Sequence, residues 1–182
     1  MTGADWTFRA VTPETWPDMA ALFEGRGGPR DCWCMLWRKT AAGQTAPRAV
    51  PARHAAIAEL AQSGKPTGIL GYDENQPVAW CSIAPRPSFG PGLGKAPREP
   101  GLWSLTCFFI RADHRKQSGF AALLAAAEAH ARQQGATTLE AYPVDPDGPS
   151  YRFCGFLSSF EAAGFRLVTH LGQRRHVVRK TL

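Results

Sequence analysis

The chain has 182 residues, of which 44% are hydrophobic and 20% charged, and it carries a formal charge of +6. This composition excludes a disordered or fibrous chain, and the length predicts one domain over residues 1–182. No apolar run reaches the ~18 residues of a membrane helix, and residues 1–8 lack a signal-like apolar region, so we expect a cytoplasmic protein without a membrane partner.

Apolar periodicity, capping residues and breakers divide the chain into eleven elements. In chain order they are a strand at 6–11, a helix capped by Thr15, a helix at 52–62, strands at 67–72 and 78–83, a strand at 103–110, a helix at 119–134, a strand at 138–142, a helix at 157–163, and strands at 165–170 and 176–179. Residues 85–101 contain nine prolines and glycines, which predicts a long loop of the kind that is often functional.

The cysteines do not indicate a disulfide framework or a metal site. There are five, an odd number at irregular spacing. The C-x-C sequence Cys32-Trp33-Cys34 is not followed by a second pair of ligands, so we predict no metal. Cys81 and Cys107 lie in apolar runs and are expected in the core.

The bend between the strand at 103–110 and the helix at 119–134 predicts an anion site. Amides at a helix N-terminus are unpaired and the helix dipole adds positive charge, while Gly119 lets the backbone approach a bulky anion. His114, Arg115 and Lys116 add side-chain charge. A phosphate or pyrophosphate would suit this bend, and an ordinary turn with a solvated basic loop is the alternative.

The same residues resemble the GNAT superfamily of acyl-CoA-dependent N-acetyltransferases. The family's pyrophosphate loop, R/Q-x-x-G-x-G/A at the start of its third helix, is matched here by Lys116-x-x-Gly119-x-Ala121, with Lys in the first place. Residues 160–165, F-E-A-A-G-F, are similar to the family's Y-E-x-x-G-F, and residues 139–143 stand where its fifth strand is expected. In element order the resemblance runs from residue 6 to residue 182.

This resemblance implies a fold and a cosubstrate. The fold class is α/β (α+β), with a mixed, mostly antiparallel central sheet, helices on both faces, and a splay between the fourth and fifth strands. Acetyl-CoA would lie in that splay. The expected coenzyme-binding residues are Phe108, Phe109 and Ile110 along the pantetheine, Arg115, Lys116, Gln117, Ser118, Gly119, Phe120 and Ala121 around the pyrophosphate, and Tyr151 near the thiol.

The family's usual catalytic groups are missing. A Glu on the fourth strand is often its base and the Tyr of Y-E-x-x-G-F its acid, but these positions hold Ser104 and Phe160. Glu140 and Tyr142 share one face of a strand and are the candidates to move protons, with Ser104 to hold a relay water. A structural, paired role for Glu140 is the alternative, as is proton transfer to solvent.

The acceptor site is implied near the first two helices and the long loop. Its candidate residues are Cys32, Trp33, Cys34, Trp37, Arg38 and Arg86. Tryptophans beside a charged group can form an apolar slot with one polar handle, although core packing would explain Trp33 and Trp37 equally well. Arg38 or Arg86 would suit an acceptor with a carboxylate or phosphate.

We therefore predict an acetyltransferase that moves an acetyl group from acetyl-CoA to a primary amine of a small molecule. A macromolecular acceptor such as aminoacyl-tRNA or protein is the first alternative, because the +6 charge favours anionic partners, although nucleic acid is the less favoured one. A non-catalytic acyl-CoA-binding module is the second, because both usual catalytic groups are absent. A homodimer is left open.

Overall fold

A computed structural model describes residues 5–95, 97, 99–115 and 117–182, in which seven strands and four α-helices follow the predicted order. The strands are β1 (Thr7–Ala10), β2 (Ile69–Asp73), β3 (Gln76–Pro85), β4 (Leu102–Ile110), β5 (Thr138–Ala141), β6 (Arg166–Leu171) and β7 (Arg175–Thr181), and the helices are α1 (Trp16–Glu24), α2 (Val50–Gln62), α3 (Gln117–Gln133) and α4 (Leu157–Ala162). None of the helices in these ranges is long and apolar enough to cross a membrane.

All seven strands form one sheet in the order β1-β2-β3-β4-β5-β7-β6. Every neighbouring pair is antiparallel except β4 and β5, which run parallel. The parallel pairing covers four residues of each strand, from Leu102 opposite Thr138 to Leu105 opposite Ala141. The predicted mixed, mostly antiparallel sheet is confirmed.

Beyond this short pairing β4 and β5 separate, as predicted. On β3, Ser82 faces Cys107 and Ile83 faces Leu105, so Thr106 is the extra residue of a bulge in β4. The chain after β5 turns to a different partner, because the amide of Val144 donates to the carbonyl of Gly155 over 3.0 Å. The splay therefore begins at Thr106 on one strand and Tyr142 on the other.

Helices cover both faces of the sheet. One core packs α3 and α4 on the sheet through residues such as Leu123, Leu124 and Phe160. A second core packs α1 and α2 on the opposite face through Met19, Phe23 and Ile57. The bulge lets Leu105 and Phe108 join the first core while Cys107 faces the second.

The start of α1 differs from the prediction. Thr15 stands at the capping position, but its hydroxyl makes no cap hydrogen bond to the helix. It donates instead to the carbonyl of Ala10 over 2.8 Å and accepts from the amide of Thr12 over 2.9 Å. The hydroxyl thus fixes the turn between β1 and α1.

Candidate active site at the splay of the sheet

The three predicted catalytic residues form one hydrogen-bonded chain where β4 and β5 separate. The parallel register places Ser104 opposite Glu140, and Tyr142 follows on the same face of the β5 line. The Tyr142 hydroxyl lies 3.0 Å from Ser104 Oγ and donates to Glu140 Oε1 over 2.5 Å. All three residues are buried.

Two arginines hold the carboxylate of Glu140. Arg86 Nε lies 3.3 Å from Oε1, and Arg179 donates to Oε2 over 2.8 Å. Arg179 also bonds Glu99 Oε2 over 3.0 Å. Both oxygens of Glu140 are therefore engaged, and the carboxylate orients the Tyr142 hydroxyl and the two guanidiniums. This arrangement supports the alternative of a paired, structural Glu140.

Tyr142 keeps its proton at neutral pH. Burial, and then the charge of Glu140, raise the pKa of the Tyr142 phenol well above its ordinary value of about 10. A protonated phenol can donate a hydrogen bond or a proton, but it cannot act as a base. The chemistry open to Tyr142 is that of a general acid or a hydrogen-bond donor.

A second polar chain reaches the bulge from the neighbouring strand β3. Thr106 Oγ1 donates to Ser82 Oγ over 3.0 Å, and Arg38 Nη2 donates to the same oxygen over 2.8 Å. The Arg38 guanidinium lies 4.7 Å from the ring centre of Phe89 and is almost fully buried. Burial lowers the pKa of Arg38 to about 10, so the side chain is still charged at neutral pH. Arg38, which was predicted to bind the acceptor, is thus connected to the bulge residue Thr106 through the Ser82 hydroxyl.

An aromatic cluster lies on the face of the sheet that carries Tyr142. The ring centres of Trp37 and Tyr151 are 5.9 Å apart, and Phe153 lies 5.6 Å from Trp37. Arg175, at the start of β7, places its guanidinium carbon 4.9 Å from the Trp37 ring and 4.8 Å from the Tyr151 ring. Sequence reasoning did not find Arg175. Strand alternation predicts that Arg175, Val177 and Arg179 share one face of β7, but it does not predict the contact of Arg175 with Trp37.

The structure does not bring the C-x-C segment to this cluster. Trp33 lies in the core against α1 and α2, 5.3 Å from Phe23 and 4.3 Å from His54 between ring centres. Cys34 Sγ accepts from Trp80 Nε1 over 3.1 Å, and burial raises the pKa of this thiol. Cys32 is half-buried, and burial raises its pKa also. Of the two tryptophans predicted to line the acceptor site, Trp37 alone adjoins the site residues in the structure.

The open edge of β4 suits an extended ligand with amide groups. Past Leu105, among the described residues, β4 pairs with a strand on its β3 side only. The peptide groups from Thr106 to Ile110, with those of Phe108 and Phe109 between them, therefore border the splay. The Phe108 ring packs in the core, 4.9 Å from Phe120. The Ile110 carbonyl accepts from Arg115 Nε over 2.8 Å.

The predicted pyrophosphate loop stands at the end of this edge. The helix α3 begins at Gln117, so the first-turn amides of Gln117, Ser118 and Gly119 have no partner within the helix, and Phe120 and Ala121 follow. Lys116 and the side chains of Gln117 and Ser118 lie outside the described residues. A Cβ at Gly119 would come within 2.8 Å of the Trp6 ring, so glycine also permits that contact. An open strand edge leading to a helix N-terminus fits acetyl-CoA.

A cleft of about 860 Å³ lies beside the loop, between α1 and the β2–β3 turn. Arg26, Arg111 and Arg115 contribute to its wall. Arg111 bonds Asp113 over 2.6 Å, and its guanidinium together with the His114 imidazole lowers the pKa of Asp113 to about 2. Arg26 and Arg115 supply the remaining positive charge of the cleft.

Comparison with protein families shows which family the chain belongs to. The model of the acetyltransferase (GNAT) family matches residues 31–156, which is more than half of the chain. The chain belongs to this family. The matched segment includes the splay, the β4–α3 loop and the chain of Ser104, Tyr142 and Glu140. A comparison with curated proteins finds no sequence relative.

Solved structures of the family share the fold at low sequence identity. An acetyltransferase from Thermus thermophilus superposes with a TM-score of 0.61 at 18% identity, over 100% of both chains. The PaiA N-acetyltransferase from Thermoplasma acidophilum, solved with coenzyme A, gives 0.59 at 12% identity over 98% of this chain and 99% of that one. The ribosomal-protein-alanine N-acetyltransferase from Brucella melitensis gives 0.56 at 15% identity, over 97% and 99%.

Membership confirms the predicted resemblance, the acyltransferase activity and the use of acetyl-CoA. The missing tyrosine is explained by packing. Phe160, at the family's tyrosine position, is fully buried, 5.7 Å from Phe120 and 5.1 Å from Phe165 between ring centres. It serves the core between α3, α4 and the sheet.

Proposed function

We propose that this chain transfers the acetyl group of acetyl-CoA to a primary amine of a small molecule at the splay. The observation that carries this proposal is the chain of Ser104, Tyr142 and Glu140 at the point where β4 and β5 separate. It places a protonated phenol next to the bulge at Thr106, where the open edge of β4 begins.

In this proposal, different residues bind the coenzyme and transfer the protons. The edge of β4 from Thr106 to Ile110 and the first turn of α3 hold the coenzyme. Amine acetylation needs a proton donor for the leaving thiolate and an acceptor for the amine proton. Tyr142 is the donor, oriented by Glu140 and Ser104. Water in contact with the hydroxyls of Ser104 and Thr106 takes the amine proton, since the oxygens of Glu140 are already engaged, and this proton returns through the Ser104 hydroxyl to the Tyr142 oxygen after the phenol has protonated the thiolate.

The surroundings favour a small acceptor. Arg86 Nη2 donates to the carbonyls of Leu93 and Gly94 over 2.9 and 2.7 Å, which folds the long loop against the acceptor side of the sheet. The aromatic cluster of Trp37, Tyr151 and Phe153 bounds the same side. A site bounded by a bonded loop and by aromatic rings suits a single amine better than a flat macromolecular surface.

The first test is coenzyme binding followed by turnover. Acetyl-CoA should raise the thermal unfolding midpoint, by the equivalent of about 2.7 kcal/mol at a hundredfold excess over Kd, and ATP and NAD should not. Thiol release from acetyl-CoA is then followed over a panel of primary amines. Binding without thiol release for any amine would contradict the proposal.

The cleft lined by Arg26, Arg111 and Arg115 favours a macromolecular acceptor as the second candidate. Binding of a polyanion such as aminoacyl-tRNA through these arginines should weaken steeply with salt. Arg26→Gln should then reduce acetylation of aminoacyl-tRNA while leaving small amines unaffected. Activity on free amines that does not change with salt would support the small acceptor.

A further inference from the structure

Three buried guanidinium nitrogens on the acceptor side have no hydrogen-bond partner among the described residues. They are Arg38 Nε, Arg86 Nη1 and Arg175 Nη1. A buried polar group without a partner is costly, and a cation more so. Arg86 is compensated by Glu140. No carboxylate within the described ranges is in salt-bridge contact with Arg38 or Arg175.

Of the two uncompensated arginines, Arg175 is placed to meet an acceptor. Arg38 is enclosed by the carbonyls of Pro66 and Thr67 and by Ser82. Arg175 rests on the aromatic cluster, and its Nη2 donates to the carbonyl of Gly92 over 3.0 Å. The centres of the Trp37 and Tyr151 rings are 5.9 Å apart. This separation is much shorter than two rings on opposite faces of the guanidinium would have, because each ring centre lies almost 5 Å from the guanidinium carbon. The contacts fix its orientation and leave Nη1 without an acceptor.

Arg175 also lies near the reacting position. Burial raises the pKa of Cys154, and the nearby positive charge of Arg175 opposes this rise. The Sγ atom of Cys154 in turn lies 3.5 Å from the carbonyl of Thr106, the bulge residue. On β7 it shares a face with Val177, which packs in one cluster with Trp37 and Tyr142. An anionic group on an amine bound beside Tyr142 would therefore be within reach of this guanidinium.

We infer that the acceptor amine carries a carboxylate and that Arg175 binds this carboxylate, a specificity role that rests on the proposed function. A guanidinium donates in its plane, and a planar carboxylate accepts in that geometry. The carboxylate supplies the missing acceptor for Nη1 and a countercharge for this half-buried side chain. A free aminocarboxylate has this group, whereas an amino acid esterified to tRNA or at the N-terminus of a protein does not have it beside its amine.

The test pairs each amine with an analogue that differs in this group alone. Amino acids and longer aminocarboxylates are assayed for thiol release beside their amides and their aminophosphonate analogues. The wild-type chain should prefer the acid over its amide by about 10- to 100-fold in kcat/KM, as expected for a charge-assisted hydrogen bond. Arg175→Gln should remove this preference, and Arg175→Lys should keep part of it.

The ratio of acid to amide is independent of general damage to the fold, since both substrates meet the same enzyme. Arg166→Gln, at an exposed position on β6, removes the same charge and should leave the ratio unchanged. If the amides were acetylated with the same kcat/KM as the acids, or if Arg175→Gln left the acid-to-amide ratio of kcat/KM unchanged, the role of Arg175 would be overturned while the acetyltransferase proposal would stand. A higher kcat/KM for the aminophosphonates than for the amino acids would overturn the assignment of a carboxylate to the acceptor. Failure of every amine would overturn the proposed function itself.

Discussion

The hydroxyl of Tyr142 donates to Oε1 of Glu140, two residues earlier on the same strand line, over 2.5 Å. The two side chains stand on one face because strand residues alternate, and they stand at the splay because the pairing of β4 with β5 ends at Ala141. Backbone geometry thus brings a buried phenol and a buried carboxylate to the point where β4 and β5 separate.

Tyr142→Phe should lower kcat by at least about tenfold without changing the Kd of acetyl-CoA, because general acids contribute this much or more. Tyr72→Phe is a matched control, since the Tyr72 hydroxyl donates to Asp18 over 2.8 Å at α1. Both variants should lose about 1.5–3 kcal/mol of unfolding free energy, because each hydroxyl donates to a carboxylate. Steady-state kinetics and denaturant unfolding measure the two effects, and an equal kcat in both variants would exclude Tyr142 as the proton donor.

Glu140→Gln should destabilise the protein strongly. It leaves Arg86, which is 1% exposed, without a countercharge, and breaking a buried pair in this way costs about 3–5 kcal/mol. Asp113→Asn breaks the exposed pair with Arg111 and should leave the urea midpoint nearly unchanged. Similar midpoints for the two variants would show that Glu140 does not hold the site together.

Phe160→Tyr restores the family's tyrosine but should not raise kcat. The new hydroxyl would enter a core formed by Phe108, Phe120 and Phe165 and would cost about 1–3 kcal/mol. Phe153→Tyr adds the same group at a side chain that is 38% exposed and should be close to neutral in unfolding free energy. A higher kcat in Phe160→Tyr would show that the thiolate meets its acid at this position.

Stability should fall as the pH rises above about 9. Burial raises the pKa of Cys154 from 9.0 to about 12, so the unfolded chain releases this proton before the folded chain does. The stabilisation is complete below pH 9 and is lost towards pH 12, at about 1.4 kcal/mol per pH unit for one thiol. Cys154→Ala should reduce this slope by one proton in urea unfolding between pH 9 and 11. An unchanged slope would show that the thiol is not buried.

Sequence patterns predicted the fold because most of its helices and strands are determined by residues close together in the chain. The apolar run of β4, the helical spacing of α3 and the Asp73–Gln76 turn each depend on neighbours in the chain, and all eleven elements appear within about two residues of their predicted ends. Thr15 is the exception, because its hydroxyl had two competing uses and took the bond to β1.

The site was less predictable because it depends on contacts between distant strands. Glu140 and Tyr142 could be paired from alternation alone. Arg179 reaches Glu140 through the β5–β7 register, and Arg175 meets Trp37 across 138 positions of the chain, which no local pattern encodes. Conversely, Trp33 and Cys34 share a motif with Trp37 but turn into the core through left-handed φ angles of 49° and 50°. Neighbours in sequence were separated there by backbone conformation.

The four-residue seam between β4 and β5 divides the sheet into two blocks, β1–β4 and β5–β7, joined edge to edge by one short ladder. A coenzyme that bonds to β4 beyond Leu105 prolongs this ladder, much as an added strand would. Amide hydrogens in the second half of β4 should then exchange more slowly when the donor is bound. With the coenzyme bound as proposed, the cosubstrate would form part of the sheet, and the two blocks should unfold more cooperatively in its presence.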